Sequence, residues 1–591
     1  MTYVTKRFYK KKGENVKITY YYLARSERIN GVSRPKILRS LGTIEDIEKI
    51  YSSYSIDNFP DPTTCTILEF GSIAALYDIA QRLNIEGIID KYAIKRDQGP
   101  TIGNYILLAA INRAVAPVSK KSFYGWFKDT ILISLYNKCN EKNLSSSNFW
   151  HQMVALSPEI IEKIEDEITE TVINTYNIPT NSLSFDNTNF ITYISTANNA
   201  LIPQRGHSKE KRTDLKIVGL SLMVSTEHNI PLFHQIYPGN KNDATQFSDL
   251  IDKIKLRYHK LNPNDDNITL VFDKGNNSAK NIQHLESTNI LNMHFIGGLK
   301  FAQCKELLNI DSNQFLPLKG DEFKETTVFR TTKELYGNNY TVLVTYNPAL
   351  KDAQLAGIKS NIYKCINKFE VLKLKLQNRT DGIIKKGVKP TGESVLKNIK
   401  SILTQEHMST IFDYDISSIG DDKITISYSL NNDKFEILKN QKLGKTILFT
   451  NRHEWDNEQI VSAYRSQFHV EEAFKQLKNT KYLSFRPIRH FTDKTIIVHG
   501  FYCVLSYLLV SLLKLELHNL GMNLSINNIL DMLSKAKQVI NIFENETDSS
   551  VKVKPVFSKQ HKFAKIYIEK YELKKYGLQG DKIFQNFDFL E

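Results

Sequence analysis

Residues 456–479 read DNEQIVSAYRSQFHVEEAFKQLKN, and the rest of the chain is best interpreted outward from this stretch. Asp456, followed three residues later by Gln459, has the pattern of a helix N-cap with a capping box. No Pro or Gly interrupts the stretch, so it predicts one helix of several turns. At about 100° per residue, one arc of roughly 80° holds an acid, two amines, an amide and a phenol; these are Glu471, Lys475, Lys478, Gln467 and Tyr464. The adjacent apolar stripe would pack on a core and hold the acid where it can approach a phosphate.

Length, charge and cysteine content limit the possible classes of protein. A chain of 591 residues exceeds what one hydrophobic core usually supports, so we expect three or more domains. The net charge of +14 favours an anionic partner, with nucleic acid the first candidate. The five cysteines are scattered without a CxxC pair, which indicates a reducing compartment and no zinc site or disulfide framework.

One apolar run, residues 495–513, is long enough to span a bilayer. It contains His499 and Gly500 and has no second run like it, which favours a buried core helix over a membrane span. The N-terminal residues MTYVTKRFYKKK lack the apolar core of a secretory signal. We therefore expect a cytoplasmic, nucleoid-associated protein without a membrane partner.

The first 180 residues divide into two predicted domains. Residues 1–60 read as a β-rich, DNA-binding module, with a strand at Lys17–Arg25 and a hairpin turn at Asn30–Gly31. Residues 61–180 read as a helical domain that would bind DNA ends. Within it, the segment from Ser119 to Lys121 could contact a nucleic-acid backbone, although the aromatic residues that follow are more typical of a core.

The remaining chain predicts an interrupted α/β core. Short buried strands alternate with helices over residues 181–300, the pattern breaks over 301–440, and it resumes over 441–515 with the strand Lys445–Thr450. An inserted, β-rich domain at 301–440 explains the break. Residues 516–591 read as a helical tail with a possible role in multimerisation.

Three acids mark a candidate catalytic site. Asp186 and Asp273 each end an apolar β-run, and Glu471 lies on the helix after Lys445–Thr450. Acids at the ends of neighbouring strands can converge, and three oxygen donors with open positions suit Mg²⁺ or Mn²⁺. Two such ions would clamp the attacking and leaving oxygens of a phosphoryl displacement.

Each acid also has an ordinary structural interpretation. An Asp after a strand is often only a turn or N-cap residue, and Glu471 could form an i,i+4 ion pair with Lys475. Glu472 points about 100° away from Glu471 around the helix and is the weaker candidate ligand.

The chain resembles the DDE-type transposases of bacterial insertion sequences whose third-acid helix carries a Tyr-Arg-Glu-Lys signature. That signature, Y-x2-R-x3-E-x6-K, falls on Tyr464, Gln467, Glu471 and Lys478, with Gln467 in place of the arginine. Further similar segments are FDNTNF around Asp186, GHSKEKRTD from residue 206, PGNKND from residue 238 and FDKGNNS around residue 273.

The resemblance implies an RNase H-like catalytic core with a β-rich insertion between the second Asp and the Glu. It implies DNA cutting at transposon ends and strand transfer by a 3′-OH, with Mg²⁺ held by Asp186, Asp273 and Glu471. DNA contacts would come from Tyr464, Gln467, Lys478, His207, Lys209 and Arg212. The partner would be double-stranded DNA, and the active complex would be a homodimer.

Two other functions remain open at this stage. An RNase H-type nuclease or resolvase would use the same three acids without joining strands. A catalytically silent DNA-binding regulator would keep the basic surfaces, and Gln467 leaves that possibility open, although all three acids are present.

Overall fold

The N-terminal module is an antiparallel sheet followed by a helix. The computed structural model describes residues 2–10, 17–29, 32–53, 65–93, 99–261, 268–287, 293–418, 423–544, 550–580 and 582–585, so the predicted Asn30–Gly31 turn lies outside the described residues. Strands β1 (Thr2–Lys10), β2 (Lys17–Ile29) and β3 (Val32–Gly42) pair in that order and lead into α1 (Ile44–Ser53). The secondary structure of this module is therefore β-rich, as predicted.

The next segment is helical after one short strand. Strand β4 (Cys65–Glu69) precedes α2 (Gly71–Arg82), α3 (Ile85–Tyr92), α4 (Ile102–Val115), α5 (Phe123–Lys128), α6 (Leu132–Leu135), α7 (Ser146–Met153) and α8 (Pro158–Tyr176). The Ser157 side chain accepts a hydrogen bond from the backbone N–H of Ile160 at 3.3 Å and so caps α8, with Pro158 at its first turn.

The first part of the α/β region supplies five strands. They are β5 (Ser182–Thr192), β6 (Lys216–Ser225), β7 (Pro231–Pro238), β8 (Thr269–Phe272) and β9 (His294–Gly298), with α9 (Asp243–Leu261) and α10 (Ala279–Glu286) between them. Strands β5 to β7 are antiparallel, whereas β8 and β9 run parallel to β5.

The prediction of a β-rich insertion at 301–440 is wrong in extent and in composition. Strands β10 (Leu316–Pro317), β11 (Thr327–Leu335) and β12 (Asn338–Tyr346) join the main sheet, because β12 pairs with β15 (Lys445–Thr450). The elements between β12 and β15 are mostly helical: α11 (Pro348–Thr380), α12 (Gly392–Ile402), α13 (Met408–Ile411), β13 (Phe412–Ser418), β14 (Ile424–Leu430) and α14 (Asn432–Gln441). They pack around a hydrophobic core of their own. Strand β15 itself has the predicted bounds.

One mixed sheet of nine strands forms the centre, in the order β10-β11-β12-β15-β9-β8-β5-β6-β7. On one face the Phe247 ring of α9 lies 5.1 Å from the rings of both Phe185 and Phe272. On the other face, Ile460 and Val461 pack with Ile296 of β9; they belong to α15 (Asn457–Arg465), which α16 (Phe468–Leu477) follows. Covering both faces explains why these strands are apolar along their whole length.

The C-terminal part begins with the apolar run, which forms α17 (Asp493–Asn519). By length and composition α17 could cross a membrane, and 94% of its most apolar window is buried inside the protein, in agreement with the predicted core helix. Helix α18 (Ile526–Ser534), strands β16 (Lys537–Glu544) and β17 (Ser550–Phe557), helix α19 (Lys562–Lys570) and strand β18 (Lys582–Gln585) follow. The prediction of a helical tail is wrong, because β18, β17 and β16 form a sheet with β4.

Candidate active site

Asp186 and Asp273 lie on neighbouring parallel strands. Phe185 of β5 is paired with Phe272 of β8, so the two acids follow the last paired residues of this ladder. The prediction that Asp186 ends its strand is wrong, because β5 continues to Thr192 and pairs with β6. What ends at Phe185 is the pairing with β8, and this leaves space beside the Asp186 carboxylate for the second acid.

Asp273 is the N-cap residue of a 3₁₀ turn at Lys274–Asn276, but its side chain makes no capping hydrogen bond. The ordinary interpretation of an acid at this position, a turn cap, is therefore not realised. The Asp273 carboxylate faces a cleft of about 440 Å³ that Tyr464, Gln467 and Glu471 also line.

Glu471 and Glu472 point to different surroundings. Glu471 is exposed at the cleft that contains Asp273. Glu472 accepts hydrogen bonds from Gln476 at 2.6 Å and from Lys475 at 3.3 Å. Lys475 thus pairs with Glu472 and not with Glu471, which leaves the Glu471 carboxylate directed at the cleft.

The helix that carries Glu471 is broken, contrary to the prediction of one continuous helix over 456–479. The Asp456 capping box forms as predicted, but α15 ends at Arg465 and α16 begins at Phe468. The backbone N–H groups of Gln467 and Val470 donate to carbonyls three residues earlier, at 3.1 and 3.2 Å. These 3₁₀ bonds tighten the junction and change the rotation of α16 relative to α15.

Negative charge accumulates where the two aspartates meet. Burial is the main reason that the pKa of Asp186 is raised to about 7; the carboxylates of Asp273 and Asp243 also raise it, whereas Lys209 and a 2.7 Å hydrogen bond from the Asn187 N–H lower it. Burial likewise raises the pKa of Asp243. Asp243 begins α9 within PGNKND, and sequence reasoning gave it no role, since an Asp at a helix start is usually a cap.

The Tyr464 side chain of α15 lies close to Asp273 and Glu471. Burial, followed by the charges of Asp273 and Glu471 and a hydrogen bond with Asp273, raises the pKa of its hydroxyl. An added Cβ at Gly298, at the end of β9, would come within 2.6 Å of the Tyr464 oxygen. The glycine therefore creates the space that the hydroxyl occupies.

The donor set suits a hard divalent cation in chemistry. Carboxylate oxygens are the ligands that Mg²⁺ and Mn²⁺ prefer, and a bound cation would favour the charged form of the buried Asp186 carboxyl. Among the described residues, however, no three His, Cys, Asp or Glu side chains are arranged closely enough to hold a metal ion. Asp273 and Glu471 share one cleft, Asp186 lies on the neighbouring strand, and the three do not form a coordination shell.

Comparison with known proteins assigns this region to a family. Residues 201–490 match the family model of the transposase DDE domain. This segment is similar to a transposase DDE domain. The matched range includes Asp273 and Glu471 and begins after Asp186, and it confirms the resemblance to DDE-type transposases.

The other comparisons add less. A cryo-EM structure of the piggyBac transposase synaptic complex with hairpin DNA is similar at a TM-score of 0.37 and 8% identity, covering 80% of this chain and 81% of that chain. No curated protein sequence matches the chain.

Two lysines of the DDE domain lie beside the Asp186 strand. Lys478 donates to the Thr188 hydroxyl at 3.0 Å, and its ammonium lies 5.5 Å from the centre of the Phe190 ring. Lys209 donates to the carbonyl of Asn187. Burial lowers the pKa of Lys478. Both cations therefore lie close to the first acid.

The other residues predicted to contact DNA have varied surroundings in the structure. His207 is exposed, and its carbonyl accepts a 3.0 Å hydrogen bond from Asn189. Arg212 forms a two-bond ion pair with Asp214 at 2.7 and 2.6 Å. Gln467 is buried at the helix junction and lines the acid cleft. Arg465 does not replace the missing arginine, because its guanidinium donates to the Glu322 carbonyl and to the Thr326 hydroxyl, both at 2.8 Å.

For the segment from Ser119 to Lys121, the favoured core interpretation is confirmed at Lys120, and the alternative of contact with a nucleic-acid backbone is contradicted there. The Lys120 ammonium is buried at 4.3 Å from the Phe123 ring centre, 4.4 Å from that of Phe149 and 4.8 Å from that of Tyr502. The aromatic residues after Lys121 thus belong to the core, and they enclose the lysine with them.

Proposed function

We propose that the chain is a transposase that cuts DNA at insertion-sequence ends and joins the 3′-OH to target DNA. One observation carries the proposal: β5 and β8 put Asp186 beside Asp273, and Glu471 lines the cleft that Asp273 faces, with both Asp273 and Glu471 inside the segment that matches a transposase DDE domain. The antiparallel β5–β7 with parallel β8 and β9 supports an RNase H-like core.

The reaction is an exchange of phosphodiester bonds. Two divalent ions, when bound, would activate the attacking oxygen and stabilise the leaving oxygen. Asp186, Asp273 and Glu471 would hold those ions, and Lys209 and Lys478 would contact phosphates next to the scissile one. One P–O bond forms as another breaks, so the joining step needs no added energy source.

A second cleft gives the DNA a path past the acids. It has a volume of about 730 Å³, shares Asp273 and Tyr464 with the acid cleft, and runs between the sheet edge and α11. Four lysines line it: Lys274, Lys300, Lys442 and Lys445. We propose that these cations contact phosphates on the Asp273 side, while Lys209 and Lys478 do so on the Asp186 side. Joining two ends implies a homodimer, which we propose acts in the cytoplasm.

The test compares neighbouring acids on one helix. The substrate is a duplex containing the DNA that flanks the coding sequence, with a supercoiled plasmid as target, in Mg²⁺ or Mn²⁺. We expect Glu471→Gln and Asp273→Asn to lower cleavage at least a thousandfold while DNA binding survives, and Glu472→Gln to cleave nearly as the parent chain does.

Each other outcome points to a different function. Cleavage without joined products would favour a nuclease or resolvase. Equal activity of Glu471→Gln and Glu472→Gln would remove the assigned triad. Binding without cleavage in the parent chain would favour a silent regulator.

A further inference from the structure

One face of the N-terminal sheet carries a row of aromatic rings, of which Tyr9 is exposed and Tyr20 and Tyr22 are partly exposed. On β2, Ile18, Tyr20 and Tyr22 alternate and therefore point to one side. Directly opposite Ile18 and Tyr20 on β1 are Tyr9 and Arg7, and directly opposed residues share a face. We call this surface, formed by Arg7, Tyr9, Ile18, Tyr20 and Tyr22, the tyrosine face.

The rings of the tyrosine face contact one another. The Tyr9 and Tyr20 rings meet edge to face at 5.6 Å, and the Tyr22 hydroxyl donates to the Tyr9 hydroxyl at 3.3 Å. The Arg7 guanidinium lies 5.8 Å from the Tyr22 ring centre. Tyr9 keeps 47% of its surface exposed, and an open cavity of about 460 Å³ lies over these rings. That volume is in the range of pockets that hold a small planar ligand.

The positive charge of the N-terminal sheet indicates what kind of partner the tyrosine face binds. The described strands β1 to β3 contain nine Lys or Arg residues and one acid, Glu27, which pairs with Lys36 at 3.2 Å. A second copy of so basic a surface would be repelled. A polyanion that also presents flat aromatic groups is complementary to both features.

We propose that the tyrosine face binds unpaired DNA bases by stacking, while the surrounding cations hold the backbone. Backbone contact alone needs only the charges; exposed rings gain energy when a base leaves its own stack and lies on them. This inference rests on the proposed function, because DNA cutting supplies the frayed or single-stranded ends that carry such bases.

The experiment uses the full chain and a matched pair of tyrosines on one strand. Tyr20→Leu and Tyr22→Leu remove rings from the tyrosine face, whereas Tyr21→Leu removes an identical ring from the opposite face. Affinity is measured by fluorescence anisotropy for a blunt duplex and for the same duplex with an unpaired 3′ tail. We expect each substitution on the tyrosine face to weaken tailed-duplex binding about tenfold, with little change for Tyr21→Leu or for the blunt duplex.

A second measurement reports stacking directly and guards against misfolding. A 2-aminopurine base in the tail should be quenched by the parent chain and by Tyr20→Phe, which keeps the ring, but not by Tyr20→Leu. Equal weakening on both DNAs would overturn the inference in favour of backbone contact. Unchanged affinity of all variants for the tailed duplex would overturn the inference outright. So would variants that bind both DNAs normally and lose affinity only for phosphatidylserine vesicles, because that result would indicate a membrane surface as the partner.

The two proposals can fail separately. Asp273→Asn should abolish cleavage while it keeps the affinity for the tailed duplex. Cleavage by a chain that binds both DNAs equally would refute the tyrosine face alone, and tail-selective binding by a parent chain that does not cleave would refute the transposase alone.

Discussion

Asp186 shows how a single residue is affected by its position between strands. Its carboxylate is enclosed by β5, β8 and the loop of Lys209, and Asp273 and Asp243 add negative charge nearby. The pKa of about 7 follows from removing the group from water before any cation neutralises the acids.

Asp186→Asn should stabilise the metal-free protein at high pH. The carboxyl has a pKa of about 7 in the folded state and about 3.8 when unfolded, so the folded state binds the extra proton between these values. Folding free energy is therefore lost as pH rises through that window. In EDTA, we expect urea unfolding to show a gain of about 2 kcal/mol for Asp186→Asn at pH 8 that disappears near pH 4.

The control is Asp249→Asn, which changes an exposed aspartate of α9 that pairs with Lys241 at 2.9 Å. A gain of the same size at pH 4 and pH 8 would mean that Asp186 is not held protonated by its surroundings.

Lys478→Ala should reduce the salt dependence of DNA binding. The Lys478 ammonium lies beside Asp186, whereas Lys475 is 77% exposed and pairs with Glu472. Removing one phosphate contact lowers the slope of log K against log salt by about 1. Titrations over a range of salt should show this for Lys478→Ala; an equal change for Lys475→Ala would indicate that neither lysine has a defined phosphate partner.

At the scale of elements, the junction of α15 and α16 determines which side chains meet the sheet edge. The 3₁₀ bonds at Gln467 and Val470 let Tyr464 point at Asp273 from the first helix and Glu471 reach the same cleft from the second. The predicted continuous helix would also place Tyr464 and Glu471 on one side, but the tightened junction determines the angle between the two side chains.

The contact between β9 and α15 predicts a coupled pair of substitutions. A Cβ at Gly298 would lie 2.6 Å from the Tyr464 oxygen and 3.4 Å from its Cζ, so Tyr464→Phe removes the closest clash. We expect Gly298→Ala to cost about 2 kcal/mol and Tyr464→Phe about 1 kcal/mol in urea unfolding. The double variant should be more stable than their sum by about 1 kcal/mol. Additive costs would show that the two residues do not meet.

At the scale of the whole molecule, α17 joins regions that are distant in sequence. Glu516, buried near its end, accepts hydrogen bonds from Arg82 of α2 and Tyr176 of α8, both at 2.7 Å, and from Tyr567 of α19. The C-terminal segment is thus bound into the helical region through a buried charge as well as through β16 and β4.

Glu516→Ala should therefore destabilise the protein by about 3 kcal/mol, because it removes the acceptor of two phenols and one of the two carboxylates that Arg82 pairs with. Glu569→Ala, on the exposed side of α19, is the matched control and should stay within about 0.5 kcal/mol. Urea unfolding measures both. Equal effects would show that Glu516 does not connect these helices.

Several predictions that rest on local sequence patterns are confirmed by the structure. The strand Lys445–Thr450, the Asp456 capping box and the buried α17 all follow from periodicity and end signals within a few residues. The resemblance to DDE-type transposases likewise rests on short motifs, and the family match confirms it. The preference for Glu471 over Glu472 came from helical geometry alone and remains to be tested by activity.

The amino-acid sequence by itself determined several elements and the resemblance to DDE-type transposases, because local spacing encodes which residues share a face. Only the tertiary structure decided which strands pair: β10 to β12 with the central sheet, and β16 to β18 with β4. It also decided that Lys120 is enclosed by aromatic rings and that Asp243 adds its charge to Asp186. Which strands pair and which side chains become enclosed depends on residues hundreds of positions away in the sequence. A local hydrophobic pattern therefore cannot predict either of them.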